Sequence, residues 1–171
     1  YLSPQLVKST KNFSYDRANL FWGNIAFHDF PKYKAAQWNP DCELSPKFYY
    51  LPNDAEYLAK KYQIDAFSHG IAEKLYMNVG IESVIDKTRA PKGKHTALFE
   101  IFTAPACHFS EREWLRMKKE IINEIVRQWQ WYAPNMTWDN IVGAYCNTPY
   151  DAEQRNINMR EGSWSVGAMT A

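Results

Sequence analysis

The chain has 171 residues, of which 46% are hydrophobic and 16% aromatic, and its formal net charge at neutral pH is +1. This composition excludes a disordered chain, since disorder is typical of sequences with few apolar residues and a high net charge. The balanced charge also argues against a nucleic-acid partner, because phosphate binding requires clustered lysine and arginine.

The first part of the chain predicts one long strand followed by a loop. Residues 1–18 show no clean hydrophobic period, whereas residues 19–28 (NLFWGNIAFH) are apolar and aromatic, as is typical of a strand. Gly23 within this strand indicates a bulge or the close approach of another segment. Four prolines make residues 31–52 a predicted loop that holds a short strand at residues 48–51.

A helix and a pair of strands are predicted next. Asp54 or the preceding Asn53 can cap a helix that ends before Gly70. Residues 75–85 (LYMNVGIESVI) alternate and predict a strand, and residues 96–103 (TALFEIFT) predict its antiparallel partner beyond a Pro-Lys-Gly turn. Three polar residues are candidates to line one face of this pair: Asn78, Glu82 and Glu100.

The clearest helix of the sequence follows this pair. Residues 110–113 (SERE) form a capping box, and Phe109 can pack onto Trp114 in the first turn. A broad apolar stripe then continues at helical spacing until Pro134 ends the helix. A final strand is predicted at residues 141–146.

This order of elements predicts an α+β fold, with a single domain over residues 1–171. We expect a mainly antiparallel sheet with helices packed on one face, because a helix with one apolar stripe must cover something. The other face of such a sheet can wall a ligand cavity, and rings suit apolar or conjugated ligands. Half of the aromatic residues on the predicted strands should face that side. The whole set comprises Phe21, Trp22, Phe27, Tyr76, Phe99 and Phe102.

Several kinds of site lack the residues they need. Three separated cysteines support neither a zinc knuckle nor a disulfide framework, which favours a reducing compartment, and four histidines without HxxxH spacing argue against a metal site. No two of the seven glycines have GxGxxG spacing, so we do not expect this chain alone to bind FAD, NAD or ATP by that route. No signal peptide or membrane-spanning apolar run is present, and we expect Tyr1 and Ala171 to be cut ends.

Two pairs of carboxylates could serve as an acid and a base. Glu111 and Glu113 are better explained by their place at a helix N-terminus, where the helix dipole favours negative charge. Asp151 and Glu153 would share a face if they lay on a strand, and a functional role for this second pair stays open.

Four segments in the second half of the chain together resemble one protein family. They are residues 90–96 (APKGKHT), 109–114 (FSEREW), 127–134 (RQWQWYAP) and 148–162, which begins TPYDAEQRN. In this order and spacing they resemble the APxGKHT, LSxxxW, RxxxYAP and TPxDxExRN motifs of the phytoene-dehydrogenase-related flavoproteins, which include carotenoid desaturases and ketolases. The resemblance covers residues 70–167. Residues 159–162 (MREG) depart from the family's Pro-Gly-Gly pattern by adding charge.

This resemblance implies that the chain is the substrate-binding domain of an FAD-dependent oxidoreductase. The remainder of the flavoprotein would hold the FAD, while this domain would bind an apolar, carotenoid-like substrate and exclude water. Arg155 could pair with Asp151 or with an anionic group. No residue is assigned a catalytic role. Six residues are the implied substrate- or flavin-facing candidates: Asn78, Phe99, Thr148, Asp151, Arg155 and Gly162.

Other functions remain open on the sequence alone. The chain could be a non-catalytic α+β ligand-binding or protein-interaction module. A flavin-free enzyme would need a nucleophile or a metal site, and no GxSxG or HExxH motif is present. The expected location is the cytoplasm, with peripheral contact at a membrane surface left open and no nucleic acid among the partners.

Overall fold

An antiparallel sheet organises the residues that the computed structural model describes, which are 2–14, 19–51 and 53–165. Within these ranges the sheet has five strands in the order β2-β3-β4-β1-β5, and the predicted α+β fold is confirmed. The predicted cut ends, Tyr1 and Ala171, lie outside the described residues. The strands are β1 (Asn19–Phe27), β2 (Lys47–Tyr50), β3 (Met77–Gly80), β4 (His95–Thr103) and β5 (Ile141–Asn147).

The helix α4 (Glu111–Tyr132) begins with the predicted capping box. The Ser110 hydroxyl accepts a hydrogen bond from the backbone N–H of Glu113, and the Glu113 carboxylate accepts one from the backbone N–H of Ser110 at 2.8 Å. Phe109 packs edge-on against Trp114 with ring centroids 5.3 Å apart, which confirms the predicted contact. The other helices are α1 (Pro4–Lys11), α2 (Tyr62–His69), α3 (Glu82–Ile85) and α5 (Pro149–Arg155).

The core lies between α4 and one face of the sheet. Phe21 and Phe27 of β1 contact Trp114 and Trp129 of α4, with ring centroids 5.8 and 6.0 Å apart. Each large apolar side chain buried in this way contributes about 2 kcal/mol, so the helix and the sheet hold each other in place. The buried stripe of α4 comprises Trp114, Met117, Ile121, Ile125 and Trp129.

β1 shows how the sheet separates its two faces. Phe21 and Ile25 are fully buried on the side of α4, whereas Trp22 and Asn24 beside them are exposed on the other side. This alternation exposes one face to solvent and buries the other. It is the ordinary pattern of an antiparallel sheet covered by helices on one side. We call the side away from α4 the open face.

The helix α1 differs from the sequence expectation, which finds no hydrophobic period in residues 1–18. The Ser3 hydroxyl caps the helix by accepting a backbone N–H bond at 3.2 Å, and Pro4 occupies the first turn. No residue of α1 is buried. α1 therefore lacks the buried apolar stripe that usually identifies a helix in a sequence. Only the Ser3 cap and Pro4 in the first turn indicate this helix.

The strand predicted over residues 75–85 is shorter than expected. β3 ends at Gly80. The N–H of Ile81 still donates to the carbonyl of Pro46 at 2.7 Å, but Pro46 has no N–H to donate in return, so the ladder does not continue. The chain then forms the single helical turn of α3. Ile81 and Ser83 are both buried at this turn, which explains why the alternation of the sequence continues past the strand.

The helix predicted between Asp54 and Gly70 begins and ends as expected. The Asp54 carboxylate accepts the N–H of Tyr57 at 2.9 Å, and Gly70 has a φ of 78°, a conformation that glycine adopts readily. Between these ends a π-helical turn, Tyr57–Lys61, precedes α2. Single π-helical turns have no hydrophobic signature of their own, so the sequence does not indicate this one.

Candidate functional site

The open face of the sheet carries aromatic side chains from across its width. Trp22 lies on β1, Tyr49 on β2, Phe102 on β4 and Tyr145 on β5, and Tyr76 immediately precedes β3. Their exposed fractions range from 37% for Trp22 to 57% for Tyr49 among the four strand residues. Large rings that stay exposed together provide contact area for a ligand or a partner surface.

Three of these rings form a stack that we call the aromatic ladder. Tyr49 and Tyr76 have ring centroids 6.4 Å apart at an interplanar angle of 23°, and Tyr76 and Phe102 are 5.8 Å apart at 16°. The Tyr62 hydroxyl of α2 donates to the carbonyl of Phe102 at 3.2 Å and fixes this end of the ladder. The Tyr76 ring lies between the other two and also packs against the buried Tyr57 and Tyr62, so the ladder combines exposed rings at its ends with a half-buried ring in the middle.

A polar pair lies beside the aromatic ladder. Asn78 Nδ2 donates to Glu100 Oε2 at 2.5 Å, and in the strand register Glu100 also lies opposite Trp22. The Asn78 Oδ1 atom is buried and has no hydrogen-bond partner among the described residues. The pair therefore offers oxygen acceptors, which suit a hydroxyl or amide donor on a ligand that is otherwise apolar.

Thr148 and Asp151 form the N-terminal cap of α5. The backbone N–H and the hydroxyl of Thr148 both donate to the Asp151 carboxylate at 2.8 Å, and the Asp151 N–H donates back to the Thr148 hydroxyl. Lys118 Nζ of α4 lies 3.0 Å from the same carboxylate. Burial acts to raise the pKa of Asp151, but the hydrogen bonds from Thr148 and Lys118 outweigh it and hold the pKa below its ordinary value.

Arg155 borders the open face through Tyr145. Its Nη2 atom donates to the Tyr145 hydroxyl at 2.6 Å, and that hydroxyl donates to Asn147 Oδ1 at 3.0 Å. The ion pair that the sequence allowed between Arg155 and Asp151 does not form, because Lys118 occupies the carboxylate. Arg155 stays exposed and presents a cation at the β5 side of the open face.

Gly162 and Glu153 have structural roles near the end of the described residues. Gly162 has a φ of 76°, and a Cβ atom there would lie 2.6 Å from Pro149 Cα, so only glycine fits. The Glu153 carboxylate accepts the backbone N–H of Glu161 at 2.8 Å. Asp151 and Glu153 lie on α5 rather than on a strand, and each is bound to a different partner. This arrangement does not support them as an acid and base pair.

Phe99 faces the core, which corrects the expectation that it lines the ligand site. It is 1% exposed and pairs with the buried Val79 of β3. Because side chains alternate along β4, Glu100 and Phe102 take the open face instead. The six candidates thus divide into two on or beside the open face (Asn78 and Arg155), three that build the α5 region (Thr148, Asp151 and Gly162), and Phe99 in the core.

Three residues of this region are not among the candidates that the sequence suggests. Tyr49 and Tyr145 lie inside predicted strands, but the segments FYYL and IVGAYC around them show no polar–apolar alternation, so the sequence does not indicate which face they take. Lys118 contacts Asp151 across 33 residues of sequence. No local pattern indicates such a contact, because it depends on how α4 and α5 pack.

Replacing Asp151 with asparagine is expected to lower the free energy of unfolding by about 1 kcal/mol at neutral pH. The depressed pKa of Asp151 means that its carboxylate contributes stability above the pKa of the unfolded chain, about 4, and loses it as the pH falls through the folded value. The stability difference between the parent and Asp151→Asn should therefore shrink in acid. Urea unfolding at a series of pH values measures it.

The exposed Asp139 provides the matched control for this experiment. Asp139→Asn removes the same charge from a side chain that forms no ion pair among the described residues. We expect this variant to stay close to the parent at every pH. A stability difference at Asp151 that does not change with pH would contradict the role of its charge.

The described residues contain neither a metal-binding group of side chains nor a Rossmann-type dinucleotide unit. Within residues 2–14, 19–51 and 53–165, no group of three or more His, Cys, Asp or Glu side chains is placed to hold a metal ion. All strand pairs of these ranges are antiparallel, so they contain no parallel βαβ unit of the kind that binds a dinucleotide. No helix in this part of the chain is long and apolar enough to cross a membrane.

Comparison with known proteins does not add to this description. No protein-family model matches the chain, and a search of curated proteins finds no match. The resemblance of the four sequence segments to a flavoprotein family therefore stays a prediction, and the open face with its aromatic ladder is the strongest structural indication of a ligand.

Proposed function

We propose that this chain is the substrate-binding domain of an FAD-dependent oxidoreductase similar to the phytoene dehydrogenases, acting on an apolar, carotenoid-like substrate. The observation that carries the proposal is the aromatic ladder on the open face, formed by Tyr49, Tyr76 and Phe102. Its rings offer apolar contact area of the kind that suits a conjugated hydrocarbon. The sequence resemblance over residues 70–167 supports the same reading.

The aromatic ladder and the polar pair have different roles in the proposed binding. Stacking on rings that the sheet already holds in place costs little conformational entropy, so Tyr49, Tyr76 and Phe102 supply contact area. The acceptors of Asn78 and Glu100 lie beside this surface and would orient a ligand that carries one polar group. These residues bind and orient, and none of them is assigned a proton transfer.

The flavin of this proposal would be held by the remainder of the flavoprotein. The described residues lack both the glycine-rich turn and the parallel strands that a dinucleotide site requires. We therefore derive no chemical step through a flavin from them. The role of this chain is to present the substrate and to keep water from one of its faces.

The proposal includes a cytoplasmic location with peripheral contact at a membrane surface, where apolar substrates are stored. Trp38 is 85% exposed and Ile85 is 77% exposed. Exposed tryptophan and aliphatic side chains suit shallow insertion at the boundary between headgroups and acyl chains. Their exposure supports this part of the proposal.

One observation favours the alternative of a non-catalytic ligand-binding or protein-interaction module. Thr148 and Asp151 belong to the segment that most resembles the flavoprotein motif, yet their side chains are engaged in capping α5 and in the contact with Lys118. A binding module without chemistry would use the same open face. The two functions differ in whether the natural full-length protein carries a flavin.

Binding of all-trans-retinol, a conjugated apolar probe, tests the role of the open face. We expect the retinol fluorescence to rise on binding to the purified chain, and Phe102→Ala to weaken the affinity about fivefold, because one stacked ring is lost. Trp131→Ala is the matched control, since Trp131 is an exposed ring on α4 at 45% exposure. Equal losses in both variants would contradict a site on the open face.

The flavin is tested on the natural full-length protein. The yellow absorbance of an oxidised flavin, together with retinol binding through Phe102, supports the oxidoreductase. A colourless full-length protein that still binds retinol through Phe102 supports the binding module instead. The two readouts are independent, so each part of the proposal can fail alone.

A further inference from the structure

A cavity lies where β3 connects to β4, apart from the open face. Its volume is about 400 Å³, within the range of small-molecule sites. Phe30, Leu44, Val84 and Pro91 contribute apolar walls, and Lys87, Lys92, Lys94 and His95 contribute polar atoms. The cavity thus combines an apolar interior with basic side chains.

The walls of this cavity are held by contacts within the protein. The Lys94 N–H donates to the Pro91 carbonyl at 2.9 Å, and Gly93 between them has a φ of 73°, which closes a tight turn. The Phe30 ring stacks on the His95 ring with centroids 3.6 Å apart. A cavity whose backbone and rings are fixed in this way needs little rearrangement to bind a ligand.

The charge around the cavity is positive. Residues 82–95 contain four lysines and arginines and only two carboxylates, Glu82 and Asp86. Arg89 binds both carboxylates, at 3.2 and 3.4 Å. Within the part of the chain that the structure describes, Lys87, Lys92 and Lys94 form no ion pair, and no carboxylate lines the cavity.

The neighbouring groups do not cancel this charge. Lys94 contacts the ring of His28, and Asp29 and Asp139 line a separate depression on the other side of Lys94. Burial lowers the pKa of His95, against the attraction of Asp29, so its ring is an uncharged wall at neutral pH. Because the Lys94 ammonium lies beside His28, at that depression, the positive charge of the cavity is mainly that of Lys87 and Lys92.

We propose that this cavity binds an anionic amphiphile, a molecule with a carboxylate or phosphate head and an apolar chain. The head would contact Lys87 and Lys92 at the mouth, and the chain would lie against Phe30, Val84 and Leu44. Lysines on flexible stems attract an anion without requiring a fixed geometry, and the apolar walls contribute in proportion to the area they bury. Neither group of residues alone would select such a ligand.

The cavity is distinct from the open face. His95 begins β4 on the side of Ala97 and Phe99, which are buried against the core, whereas Phe102 of the aromatic ladder lies on the other side. A ligand in the cavity would therefore not compete with one on the ladder. The inference does not depend on the proposed oxidoreductase.

Calorimetric titration of the purified chain with octanoate tests this inference, with 1-octanol as the uncharged match. We expect octanoate to bind more tightly than 1-octanol. The double variant Lys87→Gln/Lys92→Gln should weaken octanoate binding about tenfold, because both exposed cations that attract the head are lost. Lys8→Gln/Lys119→Gln removes the same charge from two exposed lysines elsewhere and should leave the affinity unchanged.

A second pair of variants tests the wall of the cavity without touching a lysine. Leu44 is 66% exposed, so Leu44→Asp and Leu44→Asn should both fold. The aspartate should repel octanoate and weaken its binding severalfold more than the asparagine does. Equal effects of the two variants, or equal affinity for octanoate and 1-octanol, would overturn the inference.

Vesicles distinguish a free amphiphile from a bilayer. Phosphatidylcholine vesicles with and without phosphatidylserine are sedimented with the parent and with Lys87→Gln/Lys92→Gln. If the parent binds octanoate and this variant does not, the cavity is supported, whether or not the protein sediments with the vesicles. Sedimentation with phosphatidylserine vesicles in the absence of any octanoate binding would overturn it and assign the lysines to a flat, charged surface.

Discussion

Replacing Trp114 with alanine is expected to lower the free energy of unfolding by about 4 kcal/mol, the largest effect of any single change considered for this protein. Trp114 is completely buried, and its ring meets those of Phe21 at 5.8 Å and Phe109 at 5.3 Å. Its indole N–H also donates to the carbonyl of Ala106 at 2.9 Å. The alanine would leave a cavity and a buried carbonyl without its partner.

Leu115 is the natural control for this change, because it is the next residue of α4 and is 53% exposed. Leu115→Ala keeps the helix propensity high and removes little buried area, so its effect should stay within about 0.5 kcal/mol. Urea unfolding followed by circular dichroism measures both variants. A loss at Trp114 no larger than at Leu115 would mean that α4 does not pack on the sheet as described.

Gly23→Ala is expected to destabilise the protein by about 3 kcal/mol, because the added methyl group has no room between two strands. A Cβ atom at this position would collide with the backbone carbonyl of Tyr145 and lie 2.9 Å from Cys146 Cα and 2.8 Å from Phe99 Cζ. Two of these neighbours are backbone atoms of β5 and cannot turn away. Relief requires β5 to move away from β1, which weakens the ladder of hydrogen bonds between them.

Gly143 on β5 provides the matched control for Gly23. It lies in the same strand pair, and a Cβ atom there would meet nothing within 4 Å. Gly143→Ala should therefore be neutral or slightly stabilising, since alanine lowers the entropy of the unfolded chain. Thermal unfolding of the two variants side by side gives the comparison, and a similar loss in both would show that the close approach at Gly23 is unimportant.

The elements that the sequence predicts well are those with a strong local signal. The capping box at Ser110 and the apolar stripe behind it locate α4, and the run of residues 19–28 locates β1. Gly23 indicates either a bulge or the close approach of another segment, and its contact with β5 shows that the close approach is correct. In each case the evidence lies within a few residues, so no knowledge of the packing is needed.

The sequence does not predict features that depend on contacts between distant segments. β3 stops at Gly80 because the next residue across the sheet is Pro46, which has no N–H to donate, and α1 has no buried residue to mark it. The candidate site shows the same limit. The alternation of β4 was visible in the sequence, but which of Phe99 and Glu100 faces the helix depends on the position of α4.

The open face illustrates what sequence and structure each contribute. The aromatic content of the strands predicts that rings will line one side of the sheet, and Trp22, Tyr76 and Phe102 do so. The stack with Tyr49 requires β2 beside β3, a pairing across about 30 residues that no local pattern specifies. The order of the strands therefore brings these aromatic side chains together on one surface.

The position of β1 in the sheet has a consequence for how the protein is made. β1 is an interior strand of the sheet, yet its two neighbours, β4 and β5, lie far downstream in the chain. At about 5–20 residues per second, a ribosome needs several seconds to produce β4 after β1. During this interval the segment NLFWGNIAF is complete but unpaired, and such an apolar, β-prone stretch is prone to aggregate. The order of the strands therefore leaves this segment without its hydrogen-bonding partners until the later strands have been synthesised.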